Sequence, residues 1–144
     1  MTTVLINDHG FVPDDWTHGF LDWDVFTSAS YEERPGYGID LPNTVGAEQV
    51  VPYFGDASIL RVAFPSSHDG RGFSIARHLR LLGYKGRLRA YGHVLADQYA
   101  MARRVGFDEV EIPATLAARQ PEDQWLARAN WADHSYLRRL RKAV

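Results

Sequence analysis

The feature that most constrains the fold is a regular alternation of strand-like and helix-like segments in the middle of the chain. Gly83 and Gly106 stand where a helix favours a left-handed C-terminal residue, so they mark the ends of two helices. Hydrophobic periodicity predicts strands at 38–41, 59–64, 87–91 and 109–112, and helices at 47–54, 73–82 and 95–105. Short links between such segments indicate right-handed parallel βαβ crossovers.

The predicted fold class is therefore α/β, with about four parallel strands joined by βαβ crossovers. Two architectures remain open: a half-barrel-like sheet, with half the units of a (β/α)₈ barrel, or a small doubly wound sheet. A chain of 144 residues suits a single domain. We assign 1–36 to an irregular N-terminal lead-in, 37–113 to the βαβ core and 114–144 to a helical tail that breaks near Pro121.

The lead-in offers one short strand candidate at 4–6, followed by acidic and turn-forming residues that oppose a long helix. Four aromatic residues, Trp16, Phe20, Trp23 and Phe26, then recur at helical spacing. We predict that this segment lays its aromatic rings on the main core. The alternative is an exposed patch that binds a partner.

Charge is divided unevenly along the chain. Residues 1–60 hold one basic residue, Arg34, against ten acidic ones, a net charge of −9, whereas residues 61–144 carry +7. We expect the two halves to dock on each other and to leave basic surface for an anion or an acidic partner. Nucleic acid is a weaker interpretation, because the net charge is −2 and no nucleic-acid motif is present.

The absence of cysteine excludes several kinds of chemistry within this chain. Disulfides, thiol redox reactions, iron–sulfur ligation and thiolate zinc sites all require cysteine. The sequence identifies no cofactor, so any electrons would have to be carried by a bound group or a partner. No apolar run reaches the roughly 20 residues that span a bilayer, and the N-terminus lacks a signal-peptide pattern, so we expect a cytoplasmic protein.

The first candidate site is the loop between the second predicted strand and its helix. This loop lies at the sheet edge where parallel α/β proteins bind ligands. Glycines there allow close approach of a ligand, amides at a helix start attract anions, and an arginine adds a forked donor. The residues concerned are Asp69, Gly70, Arg71, Gly72 and Ser74, with Arg77 expected to reach back over the same helix end.

A purely structural interpretation of this loop is also open. Asp69 or Ser74 then caps the helix, and the glycines serve only a tight turn. The spacing is not a Walker A motif, because the Gly-Lys-Ser/Thr element is missing. It is not the dinucleotide fingerprint either, because Ile75 stands in place of the third glycine.

The second candidate site is the loop after the next strand, with His93, Asp97 and Gln98. Parallel strands place these loops on one edge, so we expect these residues to face the same crevice as Asp69. His93 is a candidate general acid or base, although a hydrogen-bonded structural histidine is the alternative, and Asp97 and Gln98 are also suited to binding first-turn amides. The six histidines lack metal-ligand spacing, and His68, Asp69 and His93 form a site only if the fold brings them together.

Several motifs together resemble the bacterial family called domain of unknown function 934. The most specific is D-G-R-G-F-S-I-A-R at 69–77, and the resemblance covers about 37–112. The remaining matches are Phe64-Pro65, Gly83-Tyr84, Gly86, Leu88-Arg89-Ala90, Asp97-Gln98 and Gly106-Phe107-Asp108, and Leu5-Ile6 with Asp14-Asp15-Trp16 is more loosely similar. Members of that family commonly carry an acidic residue where this chain has His93, so the resemblance assigns no fixed role to that position.

The resemblance implies a role in sulfite reduction, for which family members are commonly described as oxidoreductases. The leading hypothesis is an accessory protein or small subunit of assimilatory sulfite reduction, with sulfite reductase or its electron donor as partner. One alternative is a small enzyme acting on a phosphorylated or sulfur-oxyanion substrate. Its catalytic groups would be His93, Asp69 and Asp97, and Arg71 would hold the anion. The other alternative is a flavin or nicotinamide oxidoreductase. A half-barrel or short open sheet also leaves edges that either the N-terminal segment or a homo-oligomer would cover.

Overall fold

The computed structural model describes residues 2–134 and centres on one seven-stranded sheet. The strands are β1 (Thr3–Asn7), β2 (Gly10–Val12), β3 (Phe20–Asp22), β4 (Gly38–Leu41), β5 (Ile59–Phe64), β6 (Arg87–Gly92) and β7 (Glu109–Pro113). Their order across the sheet is β2-β1-β7-β6-β5-β4-β3. The four predicted core strands and the short strand in the lead-in are all confirmed.

Strands β3 to β7 are parallel and lie side by side in chain order. A doubly wound sheet reverses its strand order, and this sheet does not, so the half-barrel-like alternative describes it better. The expected count of about four parallel strands is too low. Strand β3 adds a fifth because it pairs with β4 through Phe20 and Gly38, and three residues are too few to show a periodicity.

Strands β1 and β2 form an antiparallel hairpin that extends the sheet beyond β7. This hairpin covers the edge that β7 would otherwise expose, so part of the edge problem expected from the sequence is solved within the chain. The lead-in is therefore more regular than predicted, because backbone pairing with β7 orders a segment whose own sequence signals are weak.

The helices are short and follow the predicted positions with shifted ends. They are α1 (Trp23–Ser28), α2 (Ala47–Val50), α3 (Arg71–Leu81), α4 (Tyr99–Val105), α5 (Ala114–Arg119) and α6 (Glu122–Leu126). The helix predicted at 47–54 tightens into a 3₁₀ turn at Val51–Tyr53, where Pro52 removes a backbone donor. The helix predicted at 95–105 begins with a 3₁₀ turn at Ala96–Gln98.

The predicted helix ends are confirmed at two glycines, Gly83 with φ +103° and Gly106 with φ +120°. The tail breaks at Pro121, between α5 and α6, as predicted. A 3₁₀ turn at Trp131–His134 follows, and the part of the predicted helical tail at 135–144 lies outside the described residues.

The hydrophobic core lies between one face of the sheet and helices α2, α3 and α4. Alternate strand residues supply it, such as Leu60 and Val62 of β5 and Leu88 of β6, which are fully buried. They pack against Ala76 and Leu79 of α3. Burying each such aliphatic side chain stabilises the fold by about 1.5–3 kcal/mol.

The opposite face of the sheet is polar, which is unusual because parallel sheets are normally apolar on both faces. Charged side chains occupy alternate positions on its central strands. They are Asp40 of β4, Arg61 of β5, Arg87 and Arg89 of β6, and Glu109 and Glu111 of β7. This polar face explains the alternating character of the third and fourth predicted strands.

Residues 13–19, here called the strap, cross the polar face from β2 at one edge to β3 at the other. The six inter-strand steps between those edges measure about 29 Å along a flat sheet. The eight residue steps from Val12 to Phe20 reach at most about 29 Å when fully extended. The strap is not fully extended, because the Trp16 amide donates to Asp14 Oδ1 at 2.9 Å. The sheet therefore curves, with its polar face concave.

Two of the four aromatic residues of the lead-in, Trp23 and Phe26, reach the core, whereas Trp16 and Phe20 contact each other on the polar face. The helix implied by their spacing is also shorter than expected. Phe26 is fully buried, and the Trp23 ring lies edge-on to Tyr53 at 5.4 Å. Only Trp23 and Phe26 belong to α1, whereas Trp16 lies in the strap and Phe20 in β3. Gly19, with φ +76°, turns the chain into β3 and prevents one continuous helix.

The expected docking of the acidic first half on the basic second half is confirmed by ion pairs. Four acids of the first half each contact an arginine of the second. The pairs are Asp8–Arg103 at 3.1 Å, Asp14–Arg89 at 2.9 Å, Asp15–Arg87 at 2.7 Å and Asp40–Arg61 at 2.5 Å. The opposite charges of the two halves therefore stabilise the fold through ion pairs.

Candidate functional site

The loop between β5 and α3 holds the first group of predicted site residues around Asp69. Its carboxylate accepts hydrogen bonds from the Arg71 amide at 3.1 Å and from Arg71 Nη2 at 2.7 Å. Asn43, which follows β4 and is buried, donates its Nδ2 to the same carboxylate at 2.8 Å. The side chain and amide of Arg71, together with Asn43, hold the pKa of Asp69 far below its usual range.

These contacts favour a positioning role for Asp69. A carboxylate held ionised in this way is a poor proton donor near neutral pH. It orients Arg71 and accepts an amide at the start of α3, in agreement with the capping interpretation. The predicted catalytic role of Asp69 has no support from this geometry, and its place in a binding site stays a prediction.

The two glycines of the loop differ in what they permit. A Cβ on Gly72 would lie 2.5 Å from the Phe64 ring, so this glycine allows α3 to pack closely on β5. A Cβ on Gly70 would meet nothing within 4 Å. The role of Gly72 is therefore packing, whereas Gly70 leaves open space beside Arg71.

The structure separates Arg77 from the other predicted anion-binding residues. Arg71 is exposed at the start of α3, with 61% of its side chain accessible. Arg77 instead lines a groove between α3 and α4 with Leu81 and Arg104. Six residues along a helix correspond to about 9 Å of rise and about 240° of rotation, so Arg77 does not join Arg71. Ser74 is exposed on α3.

The loop after β6 lies beside the first loop, as the parallel order predicts. The His93 amide donates to the Phe64 carbonyl at 2.8 Å, and Gln98 Nε2 donates to the Ser67 carbonyl at 3.0 Å. Gln98 also accepts from the Leu95 amide at 2.9 Å, so it cross-links the two loops. The imidazole of His93 is exposed.

Asp97 lines a second cavity on the helix side of this edge. That cavity measures about 330 Å³, and Gln120, Gln124 and Arg128 also line it. Asp97 is thus near the loop of His93 but opens toward α5 and α6. Throughout residues 2–134, no group of three or more histidine, aspartate or glutamate side chains is placed to hold a metal ion.

The largest structural surprise is a cavity of about 360 Å³ on the concave polar face. It lies at the carboxyl ends of four neighbouring parallel strands, the position that active sites occupy in (β/α)₈ barrels. Its lining residues are Asp22, Trp23, Asp24, Asp40, Leu41, Pro42, Arg61, Ala63 and Tyr91.

Arg61 forms the floor of this cavity and is fully engaged by carboxylates. It donates Nε to Asp40 at 2.5 Å, Nη2 to the second Asp40 oxygen at 2.9 Å and Nη1 to Glu111 at 3.0 Å. Its guanidinium also lies 3.9 Å from the Phe20 ring centre and 4.1 Å from that of Tyr91. Burial lowers the pKa of Arg61, but the two carboxylates outweigh burial and the net shift is upward.

Arg89, next to Arg61 on the polar face, is completely buried. It bonds Glu109 through Nε, Glu111 through Nη1 at 2.8 Å and Asp14 of the strap at 2.9 and 3.0 Å. Burial lowers the pKa of Arg89, but these three carboxylates outweigh burial and the net shift is upward. Arg89 therefore keeps its charge. The network links the strap to the floor beside the cavity.

Among the residues that line the concave cavity, only Trp23 was noted from the sequence, as one of the aromatic residues of the lead-in, and none was predicted to belong to a site. The signal in the sequence for a polar sheet face was the placing of charged residues at alternate positions of two central strands, at 87 and 89 and again at 109 and 111. No local pattern indicated that Trp23 and Asp22 belong to a cavity, because only the pairing of β3 with β4 brings them to this edge.

Fold and site define a class: a mixed α/β domain with one seven-stranded, mostly parallel sheet, a polar concave face, and the loops of Asp69 and His93 at the carboxyl edge of its strands. The chain belongs to the family described as "Bacterial protein of unknown function (DUF934)", whose model matches residues 38–142. The resemblance drawn from the motifs is thereby confirmed, and the match extends past residue 112, where those motifs end. Strands β1 to β3 and the strap precede the matched region.

No curated protein and no solved structure matches the chain. Among the residues that the structure describes, none of the helices combines the length and the apolar character needed to cross a membrane.

Proposed function

We propose that this protein is a cytoplasmic accessory protein or small subunit of assimilatory sulfite reduction, which binds sulfite reductase or its electron donor through the loop edge around Arg71. The pathway is suggested by the motif resemblance. The structural observation that supports a partner-binding role is the combination of exposure and fixed orientation at Arg71.

Arg71 is better placed for a protein surface than for a small free anion. Asp69 already occupies Nε and Nη2 of its guanidinium, so a small anion would compete with an internal carboxylate. Within residues 2–134, Nη1 donates no hydrogen bond. A carboxylate on a partner can approach that exposed side, where a pre-oriented guanidinium loses little freedom on binding.

The neighbouring loop extends the same surface. His93 is exposed, and Gln98 fixes its loop against the loop of Arg71. Because thiolate ligation of an iron–sulfur cluster requires cysteine, which this chain lacks, the proposal leaves the cluster chemistry to the partner.

The test is a sulfite-reduction assay with the cognate reductase, with and without the purified protein, at matched reductant supply. We expect the rate to depend on the protein and Arg71→Ala to remove that dependence. Arg104→Ala is the matched control, because it removes an exposed arginine from the distant α3–α4 groove. Circular dichroism and thermal melting verify that both variants are folded.

A reductase that is fully active alone would refute the accessory role. A folded Arg71→Ala variant with normal activity would keep the accessory role but remove this loop edge from it.

A further inference from the structure

The cavity on the concave face has the walls of a ligand site that the proposed function does not use. Three carboxylates and one guanidinium line it, together with the aromatic rings of Trp23 and Tyr91. The guanidinium of Arg61 and the carboxylate of Asp40 neutralise each other through a two-pronged ion pair. The charge of the remaining lining is therefore negative.

Two of those carboxylates, Asp22 and Asp24, are uncompensated. Neither side chain makes an ion pair or hydrogen bond with any described residue, and both are exposed. Asp22 precedes α1 without capping it, since its side chain accepts no helix amide. Helix capping thus does not account for the Asp22 carboxylate at the cavity mouth.

The aromatic and apolar walls select further among ligands. The Trp23 indole stands at the cavity edge with its neighbour Tyr53 packed against it at 5.4 Å, which fixes its position. Leu41, Pro42 and Ala63 supply apolar surface. Aromatic faces attract cations, and the stacking of Arg61 on Phe20 and Tyr91 shows that attraction within this wall.

We propose that this cavity binds an organic cation, an ammonium or guanidinium group carried on an apolar stem. The cation lies between Asp22 and Asp24, and the stem contacts Trp23 and the apolar wall of Leu41, Pro42 and Ala63. An oxyanion meets two unpaired carboxylates and a guanidinium that is already occupied, so it is disfavoured. A free amine and a lysine or arginine side chain of a partner present the same chemistry.

The test uses three probes of matched shape: benzylamine as cation, benzyl alcohol as neutral analogue and benzoate as anion. Binding is followed by NMR titration, with the Trp23 indole N–H as reporter. We expect benzylamine to bind about tenfold or more tightly than benzyl alcohol, with benzoate weakest, and its affinity to fall with added salt.

Variants connect the binding to the carboxylates. Asp22→Asn and Asp24→Asn should each weaken benzylamine about fivefold, and both remain folded because the side chains are exposed. Glu32→Gln is the control and should leave the affinity unchanged, because Glu32 is an exposed acid in the 3₁₀ turn at Tyr31–Glu33 and does not line the cavity. Equal binding of benzylamine and benzyl alcohol, or no effect of the two aspartate variants, would overturn the proposal.

A capped Gly-Arg-Gly peptide distinguishes the two sources of the cation. Binding of benzylamine with no binding of the peptide assigns the site to a free amine. Binding of both benzylamine and the peptide, each dependent on Asp22 and Asp24, assigns it to a partner side chain. Failure of both probes would show that the cavity does not recognise cations.

Discussion

At the scale of single residues, a few glycines and arginines fix contacts between elements that the sequence alone does not reveal. Gly92, with φ +123°, brings a backbone carbonyl of β5 so close that a Cβ would lie 2.4 Å from the Phe64 oxygen. This close approach holds the loop of His93 against the loop of Asp69. A glycine that appears to be a simple turn residue therefore fixes the loop edge.

The two glycines of the 69–77 motif provide a matched stability test. Gly72→Ala should destabilise the fold by about 1–3 kcal/mol, because its methyl group would overpack the Phe64 ring. That ring cannot move easily, since Phe73 and Phe107 pack on it at 4.9 and 5.7 Å. Gly70→Ala should be nearly neutral, because its Cβ meets open space. Chemical denaturation measures both, and equal effects would contradict this account.

Arg89 provides the corresponding test for the polar face. Arg89→Met should cost about 3 kcal/mol. Buried Glu109 and Glu111 each lose one of their two arginine partners and keep only Arg87 and Arg61, respectively. The double change Arg89→Met with Glu109→Gln should recover part of that loss, since one buried charge is removed. A double variant less stable than Arg89→Met alone would show that the cost arises from lost packing.

At the scale of elements, the strap does what a second layer of helices does in most parallel sheets. It covers Arg89 and Arg87 with two acids and lays Trp16 against Phe20 at 6.1 Å between ring centres. Seven residues suffice only because the sheet is curved, and the curvature in turn shapes the cavity beside them.

The two strap acids differ in the partner that they reach. Asp14→Ala should lower stability by about 1–2 kcal/mol, because both its oxygens bond a fully buried arginine. Asp15→Ala should change stability by about 0.5 kcal/mol or less, since that ion pair is exposed to solvent. Limited proteolysis within the strap should also be faster in the Asp14 variant. Equal proteolysis rates would indicate that the strap is held mainly by Trp16.

At the scale of the whole molecule, the acidic first half and the basic second half make folding dependent on pH. The pKa values of Asp8 and Asp14 are lowered: burial opposes the shift, but hydrogen bonds from Arg103 and Arg89, respectively, outweigh it. A carboxyl with a depressed folded pKa stabilises the fold above its unfolded value of about 3.9 and loses that contribution as pH falls further.

We therefore expect the free energy of unfolding to be nearly constant between about pH 5 and 7 and to fall steeply below about pH 4. Urea denaturation at a series of pH values measures this dependence. Asp14→Asn should flatten the acid limb while lowering the plateau. An unchanged acid limb in that variant would locate the acid sensitivity in other carboxylates.

The sequence by itself determined the α/β class, four of the five parallel strands, the ends of the helices at Gly83 and Gly106, and the family. These features depend on local periodicity, on glycine conformation and on contiguous motifs, all of which a linear chain displays. It also placed the loops of Asp69 and His93 on one edge, because parallel strands must end together.

Only the tertiary structure decided the rest. The strap, β3 and the concave cavity arise from contacts between residues far apart in sequence, such as Asp14 with Arg89 and Phe20 with Arg61. Arg77 lies apart from Arg71 because helix rotation turns it away, and hydrogen bonds from Asn43 and Arg71 hold the Asp69 carboxylate ionised. Contacts of this kind depend on which strands pair and on how the sheet curves, and local sequence patterns encode neither.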